Sequence, residues 1–206
     1  MVILGLDAAL ARASAALWRD GAVVTERRRD AQRGQPAVLP ALAAEVLEAA
    51  GHPVPDVVAV AIGPGGFTGL RAAIALAEGF ALGWGVPLLG VTTGEALAAA
   101  LTEAELEGRE AWSVTTAGRG GLVLERPGEA PVLVEEARLP MPAGPVVLVG
   151  DAAPVAAARL LARGRGRGCP ARGCRWRVSW RLRLPGGARR GCRTAWRRRS
   201  MRNRST

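Results

Sequence analysis

Val2 to Ala8 is an almost unbroken apolar run, and Ala11 to Trp18 alternates apolar with polar residues. The first is the pattern of a strand buried on both faces, the second that of a half-buried one. Arg19-Asp20-Gly21-Ala22 reads as a turn, so Val23 to Arg29 completes an antiparallel meander. Past a polar loop at Gln35-Pro36, Leu39, Leu42, Val46 and Leu47 fall at helical spacing. They predict a helix from Pro40 to Ala50, stopped by Gly51. Strand 56–62, a glycine-rich turn, helix 68–82, strand 87–91 and a short helix near Glu95–Leu101 follow.

The strand pattern then starts again. Ala111–Thr116, Gly121–Glu125, Val132–Glu136 and Val146–Gly150 read as strands, and Pro154–Ala162 as the start of a helix. Three divisions are expected: a first lobe over 1–104, the beginning of a second over 105–162, and a tail over 163–206. A complete second lobe needs roughly another βα pair and a closing helix.

Composition separates the tail from the rest. The formal charge of +10 suggests a nucleic-acid binder. Residues 1–162, however, hold 12 arginines and all 18 acids, a net −6, whereas residues 163–206 hold 16 arginines and no acid. From Arg163 the chain runs in Arg, Gly, Cys, Trp, Pro and Ala without apolar periodicity, the residues that GC-rich sequence yields when read out of frame. A frameshifted or disordered tail is expected there. The rival reading is an arginine-rich RNA arm with Trp176, Trp180 and Trp196 as stacking platforms.

The glycine turn carries the candidate chemistry. Gly63-Pro64-Gly65-Gly66-Phe67-Thr68-Gly69-Leu70-Arg71 joins an apolar strand to a helix. Such a turn can offer backbone N–H groups to an anion, or let two elements pack unusually close. Asp7, at the end of the first strand, with Gly63, Gly65 and Gly66, is the candidate nucleotide contact. Pro64, Phe67, Thr68 and Arg71 complete the turn as a structural motif. In the helix, Gly69, Ala73, Ala77 and Ala81 recur every fourth residue as a ridge almost without side chains. Leu70, Ile74, Leu76, Phe80 and Leu82 flank it, so the helix is apolar nearly all round and is expected to be buried on two sides. The partner surface is accordingly placed on Gly69, Leu70, Ala73, Ile74, Ala77, Phe80 and Ala81, with Leu42 and Val46 of the neighbouring helix.

Several chemistries are excluded. All 28 basic residues are arginine, so a Walker A loop and a lysine Schiff base are impossible. His52 is the single histidine, and Cys169, Cys174 and Cys192 all lie in the tail. No Ser-His-Asp, Cys-His or zinc set follows from those positions, and neither a metal nor a cofactor is expected. His52 reads as a surface or capping residue. Pro87 and the glycines at 83 and 85 break up the apolar stretch at 72–92, so no membrane span is expected and a cytoplasmic location is.

The order β-β-β-α-β-α-β-α is that of the ribonuclease-H-like lobe of actin-like (ASKHA) proteins. Ile62-Gly-Pro-Gly-Gly-Phe-Thr-Gly-Leu-Arg71 resembles the signature of the bacterial TsaB family, also called YeaZ. Ile3-Leu-Gly-Leu-Asp7 looks like its first strand, Val114-Thr-Thr-Ala-Gly-Arg119-Gly like the start of its second lobe, and Leu148-Val-Gly-Asp151 like a later strand and turn. Departures from its pattern are Gly66, Ala8, Ala9, Thr116 and Gly118.

The resemblance implies an α/β, two-lobed actin-like fold, here with an incomplete second lobe. It also implies a non-catalytic scaffold, a pseudoenzyme that pairs through the helices at 40–50 and 68–82 with the catalytic subunit TsaD and with the ATPase TsaE. Together these place threonylcarbamoyl on the adenosine beside the tRNA anticodon, with tRNA reached indirectly through the complex. A homodimer is the other pairing. An actin-like ATPase or small-molecule kinase using Asp7 is the alternative activity.

Overall fold

The computed structural model of the protein describes residues 1–30, 35–166 and 179–180. In the first half, β1 (Val2–Asp7), β2 (Arg12–Arg19), β3 (Ala22–Asp30), α1 (Gln35–Ala49), β4 (Val57–Ala61), α2 (Phe67–Trp84) and β5 (Leu88–Val91) follow in order. The strands form one sheet in the order β3-β2-β1-β4-β5. β1 pairs antiparallel with β2 (Leu4 opposite Leu17) and parallel with β4 (Leu4 beside Val58). Those apolar runs belong at the centre of the sheet. β3, whose Glu26-Arg27-Arg28-Arg29-Asp30 end is exposed, forms an edge that its charges keep from pairing further.

Helices α1 and α2 share one core with this sheet, built from Leu4, Leu6, Leu17, Leu39, Leu42, Val46, Val58, Val60, Ala73 and Ala77. α1 begins at Gln35, five residues before the expected start, with Pro36 in its first turn, where a missing N–H costs no hydrogen bond. It stops at Gly51, and His52, exposed with a positive φ of 52°, donates its N–H to the Leu47 carbonyl as the expected cap.

The second half begins with α3 (Thr93–Ala99) and a one-turn helix α4 (Glu103–Leu106) that the periodicity does not predict. Each opens on a capping box, Thr92 with Glu95 and Thr102 with Glu105. Then come β6 (Glu110–Thr116), β7 (Gly121–Glu125), β8 (Val132–Glu135), β9 (Val146–Val149), α5 (Ala153–Gly166) and β10 (Ser179–Trp180). Their sheet runs β10-β9-β6-β7-β8. Trp112, Val114 and Leu148 face Ala153, Ala156 and Leu160 of α5. The alternate residues Val147 and Val149 face Leu97 of α3 on the other side.

Two short parts of the tail are described. Residues 163–166 continue α5, and Ser179–Trp180 extend the sheet parallel to β9. The remainder of the expected frameshifted or disordered segment, 167–178 and 181–206, lies outside the described residues, including Trp176, Trp196 and the three cysteines. Among the described residues no helix is long and apolar enough to cross a membrane.

Candidate functional site: the glycine turn and the outer face of its helix

The glycine turn brings together residues that lie some 60 positions apart in the chain. β4 ends at Ala61, and the Ile62 N–H donates to Val91 O at 2.9 Å. The Gly66 N–H then donates to Ala9 O at 2.6 Å. A Cβ on Gly65 would sit 2.3 Å from that same oxygen, and one on Gly69 only 2.1 Å from Ala8 O. The glycines therefore let the turn and the first residues of α2 close onto the bare backbone of the β1–β2 connection. That backbone presents carbonyl oxygens, which repel an anion.

Asp7 stands beside this contact. Its Oδ1 accepts the Ala9 N–H at 2.8 Å, an Asx-type turn that shapes the connection. Burial pushes its carboxyl above the ordinary 3.8, and the Ala9 N–H offsets this only partly. The structure thus brings Asp7, Gly65 and Gly66 together as the sequence suggests. It also engages the Asp7 carboxylate and the Gly66 N–H with the chain's own backbone.

A raised folded-state pKa means that the ionised carboxylate is disfavoured in the fold. Asp7 therefore costs no stability below pH 3.8 and a growing amount as pH rises through its folded value. Asp7→Asn keeps the acceptor for Ala9 N–H and removes the charge. Its Tm should equal or exceed that of the wild type at pH 7, with the difference vanishing toward pH 4; a lower Tm at pH 7 would show that the carboxylate is held by a favourable partner.

Helix α2 corrects the expected partner surface. Gly69, Ala73, Ala77 and Ala81 are buried against the chain's own sheet, as are Leu42 and Val46 of α1, so these six are closed to a partner. The ridge is thin because the helix lies close to the β1–β2 connection and β4. Leu70, Ile74 and Phe80 are half-buried, and Phe80 stacks on Trp84 with ring centroids 4.8 Å apart.

The open face of α2 is the opposite one. Arg71, Ala75, Gly79 and Gly83 repeat every fourth residue and are exposed, and nothing lies within 4 Å of where Gly79 or Gly83 would carry a Cβ. Leu82 beside them is 86% exposed. At the N-terminal end Phe67 is 70% exposed, and the Arg71 guanidinium lies 4.6 Å from its ring centroid. Arg71, the fifth residue of α2, thus packs on an aromatic face, which offsets the unfavourable placing of a cation near the positive end of the helix dipole. Thr68, in the first turn of α2, is exposed, and Pro64, in the glycine turn before it, is half-buried. α1 adds the exposed Ala41 and Ala44 to this outer helical layer.

A second polar cluster, which the sequence reading missed, lies where α3 meets the second sheet. Glu125, at the end of β7, is buried. Its Oε2 accepts the Gly94 N–H at 3.0 Å, and its Oε1 takes a hydrogen bond from the Thr92 hydroxyl. Burial raises its pKa above 4.5, with the Glu95 charge adding to the rise and the bonds from Thr92 and Gly94 opposing it. The hydroxyls of Thr93, Ser113 and Thr115 are buried nearby without a hydrogen-bond partner among the described residues. Thr115→Val should therefore be neutral or stabilising by about 1 kcal/mol in urea unfolding, since it deletes a desolvated hydroxyl while keeping its shape. Destabilisation would mean that the hydroxyl is paired in solution. Among the described residues no group of three His, Cys, Asp or Glu side chains could hold a metal.

The sequence model of the family described as TsaD, tRNA N6-adenosine threonylcarbamoyltransferase, matches residues 28–131, half of the chain. The chain belongs to this family. Within it the likeness is to TsaB. The tRNA threonylcarbamoyladenosine biosynthesis protein TsaB of Escherichia coli (strain K12) is 38% identical over 95 residues, 45% of this chain and 41% of that protein. The matched segment thus spans less than half of that relative. Two solved structures from Pseudomonas aeruginosa are similar. One, an uncharacterised protein with similarity to peptidase YeaZ, has a TM-score of 0.67 and 22% identity, covering 91% of this chain and 87% of that one. The other, YeaZ itself, has a TM-score of 0.62 and 21% identity, covering 73% and 76%. The α/β fold is accordingly the actin-like one with ribonuclease-H-like sheets.

Proposed function

We propose that this chain is a non-catalytic scaffold subunit of the assembly that installs threonylcarbamoyl on tRNA adenosine beside the anticodon. It pairs with a catalytic TsaD-type subunit; a TsaE-type ATPase joins the pair, and tRNA is met through the complex. The observation that carries this reading is the open face of α2: a row of Ala75, Gly79 and Gly83 next to a nearly fully exposed Leu82. A helix so thin on its outer side lets a second helix approach at the short end of the usual 8–10 Å separation. Membership of the family supplies the reaction.

The non-catalytic part rests on Asp7 and the glycine turn, whose polar groups are engaged with Ala9, and on the lack of lysine. The test is co-elution of the full chain with TsaD from the same source. A stable one-to-one pair is expected. A chain that remains alone or pairs only with itself overturns the partner assignment. ATP turnover by the chain alone, abolished in Asp7→Ala, overturns the non-catalytic one.

A further inference from the structure

We infer that Glu125 makes the passage from the first sheet to the second a fixed joint rather than a hinge, holding the two lobes at one opening. This does not depend on the partner proposed above. Among the described residues the chain crosses between the sheets once, after β5 ends at Val91 and before α3 begins at Thr93. A hinge at such a crossing needs a few residues whose φ and ψ can change. The residues here are not free to turn.

Four successive N–H groups at the crossing are bound, and to three different parts of the molecule. Thr92 N–H donates to Glu95 Oε2 at 2.9 Å and Glu95 N–H to Thr92 Oγ1 at 3.0 Å, which closes the start of α3 on itself. Thr93 N–H donates to Gly63 O at 2.8 Å, in the glycine turn of the first lobe. Gly94 N–H donates to Glu125 Oε2 at 3.0 Å, at the end of β7 in the second lobe. The Thr92 hydroxyl donates to Glu125 Oε1, so both oxygens of the ionised carboxylate are engaged. Rotation of the backbone between Thr92 and Gly94 therefore breaks a hydrogen bond on one side or the other.

Packing leaves the joint no slack. Thr93 and Glu125 are buried, and a Cβ on Gly94 would overlap the Glu125 carboxyl. Leu97, one turn further along α3, is buried with Val147 and Val149 of β9. Leu10 of the β1–β2 connection packs on the same cluster, an apolar tie between the lobes beside the polar one. Breaking a buried hydrogen bond to a charged acceptor leaves both partners desolvated, which opposes local opening. Three residues, Thr92 to Gly94, thus hold the glycine turn to the second sheet.

Native-state hydrogen exchange in the full chain tests this. Thr93 and Gly94 should exchange about as slowly as Val58, whose N–H is bonded to Pro87 O inside the first lobe, because the joint opens only when the fold does. Glu125→Ala should lower protection at Thr93 by about tenfold or more relative to Val58, although Thr93 itself bonds Gly63 and not Glu125. Glu125→Gln, which accepts from Gly94 and donates to Thr92, should keep that protection within about threefold of the wild type. Wild-type protection at Thr93 or Gly94 more than about tenfold below that of Val58 means that the joint opens by itself, and overturns the proposal. So does a Glu125→Ala chain in which Thr93 keeps its protection. The wild-type measurement needs no variant, so it decides the matter even if the alanine chain fails to fold.

Discussion

Gly69→Ala should destabilise the protein by about 3 kcal/mol or more, while Gly79→Ala, ten residues along the same helix, should stabilise it by about 0.8 kcal/mol. Alanine is the better helix former at both positions, so propensity alone favours both changes. Space reverses the sign at Gly69. A methyl there would lie 2.1 Å from Ala8 O, a backbone atom that cannot swing aside as a side chain can. At Gly79 nothing lies within 4 Å. Urea unfolding of the two variants against the wild type measures both effects. Equal stabilities would mean that α2 does not close onto the β1–β2 connection as described.

Gly79→Arg should weaken the proposed pairing with a TsaD-type subunit by about 100-fold or more, about 2.7 kcal/mol, while leaving the free chain as stable as before or slightly more so. The opposite signs give the test its value. An arginine on the open face of α2 meets only solvent in the free chain and fills the gap that a close partner helix needs. A titration calorimeter reads the affinity, and thermal unfolding reads the fold. Undiminished affinity would move the interface off α2. Ala77→Arg cannot serve instead, because Ala77 is fully buried in the chain's own core and a charge there breaks the fold before any pairing is tested.

That contrast shows where the sequence is readable. The run Val57-Val58-Ala59-Val60-Ala61 and its counterparts in β1 and β9 identify central strands, because only a strand buried on both faces is apolar at every position. Periodicity in α2 likewise groups Gly69, Ala73, Ala77 and Ala81 on one face. It cannot say which face turns inward when both are small and apolar. Residues so small suggest a surface awaiting a partner, yet the carbonyls of Ala8 and Ala9 already occupy part of that space.

Two features could have been read and a third could not. Thr92-x-x-Glu95 and Thr102-x-x-Glu105 are capping boxes visible as letters, and Pro36 fits a first helical turn. Glu125 gives no such signal. A glutamate ending a strand looks solvated, and it is buried only because α3 crosses the face that alternation assigns to Val123 and Glu125.

Helix α3 follows the last strand of the first sheet in sequence, yet its Leu97 packs against Val147 and Val149 of the second. A boundary drawn at residue 104 divides the chain but not the core. Removing everything after it would leave Leu97 facing water and the start of α3 without Glu125. Unfolding of either half strips a surface from the other, so the two should melt cooperatively rather than as independent modules.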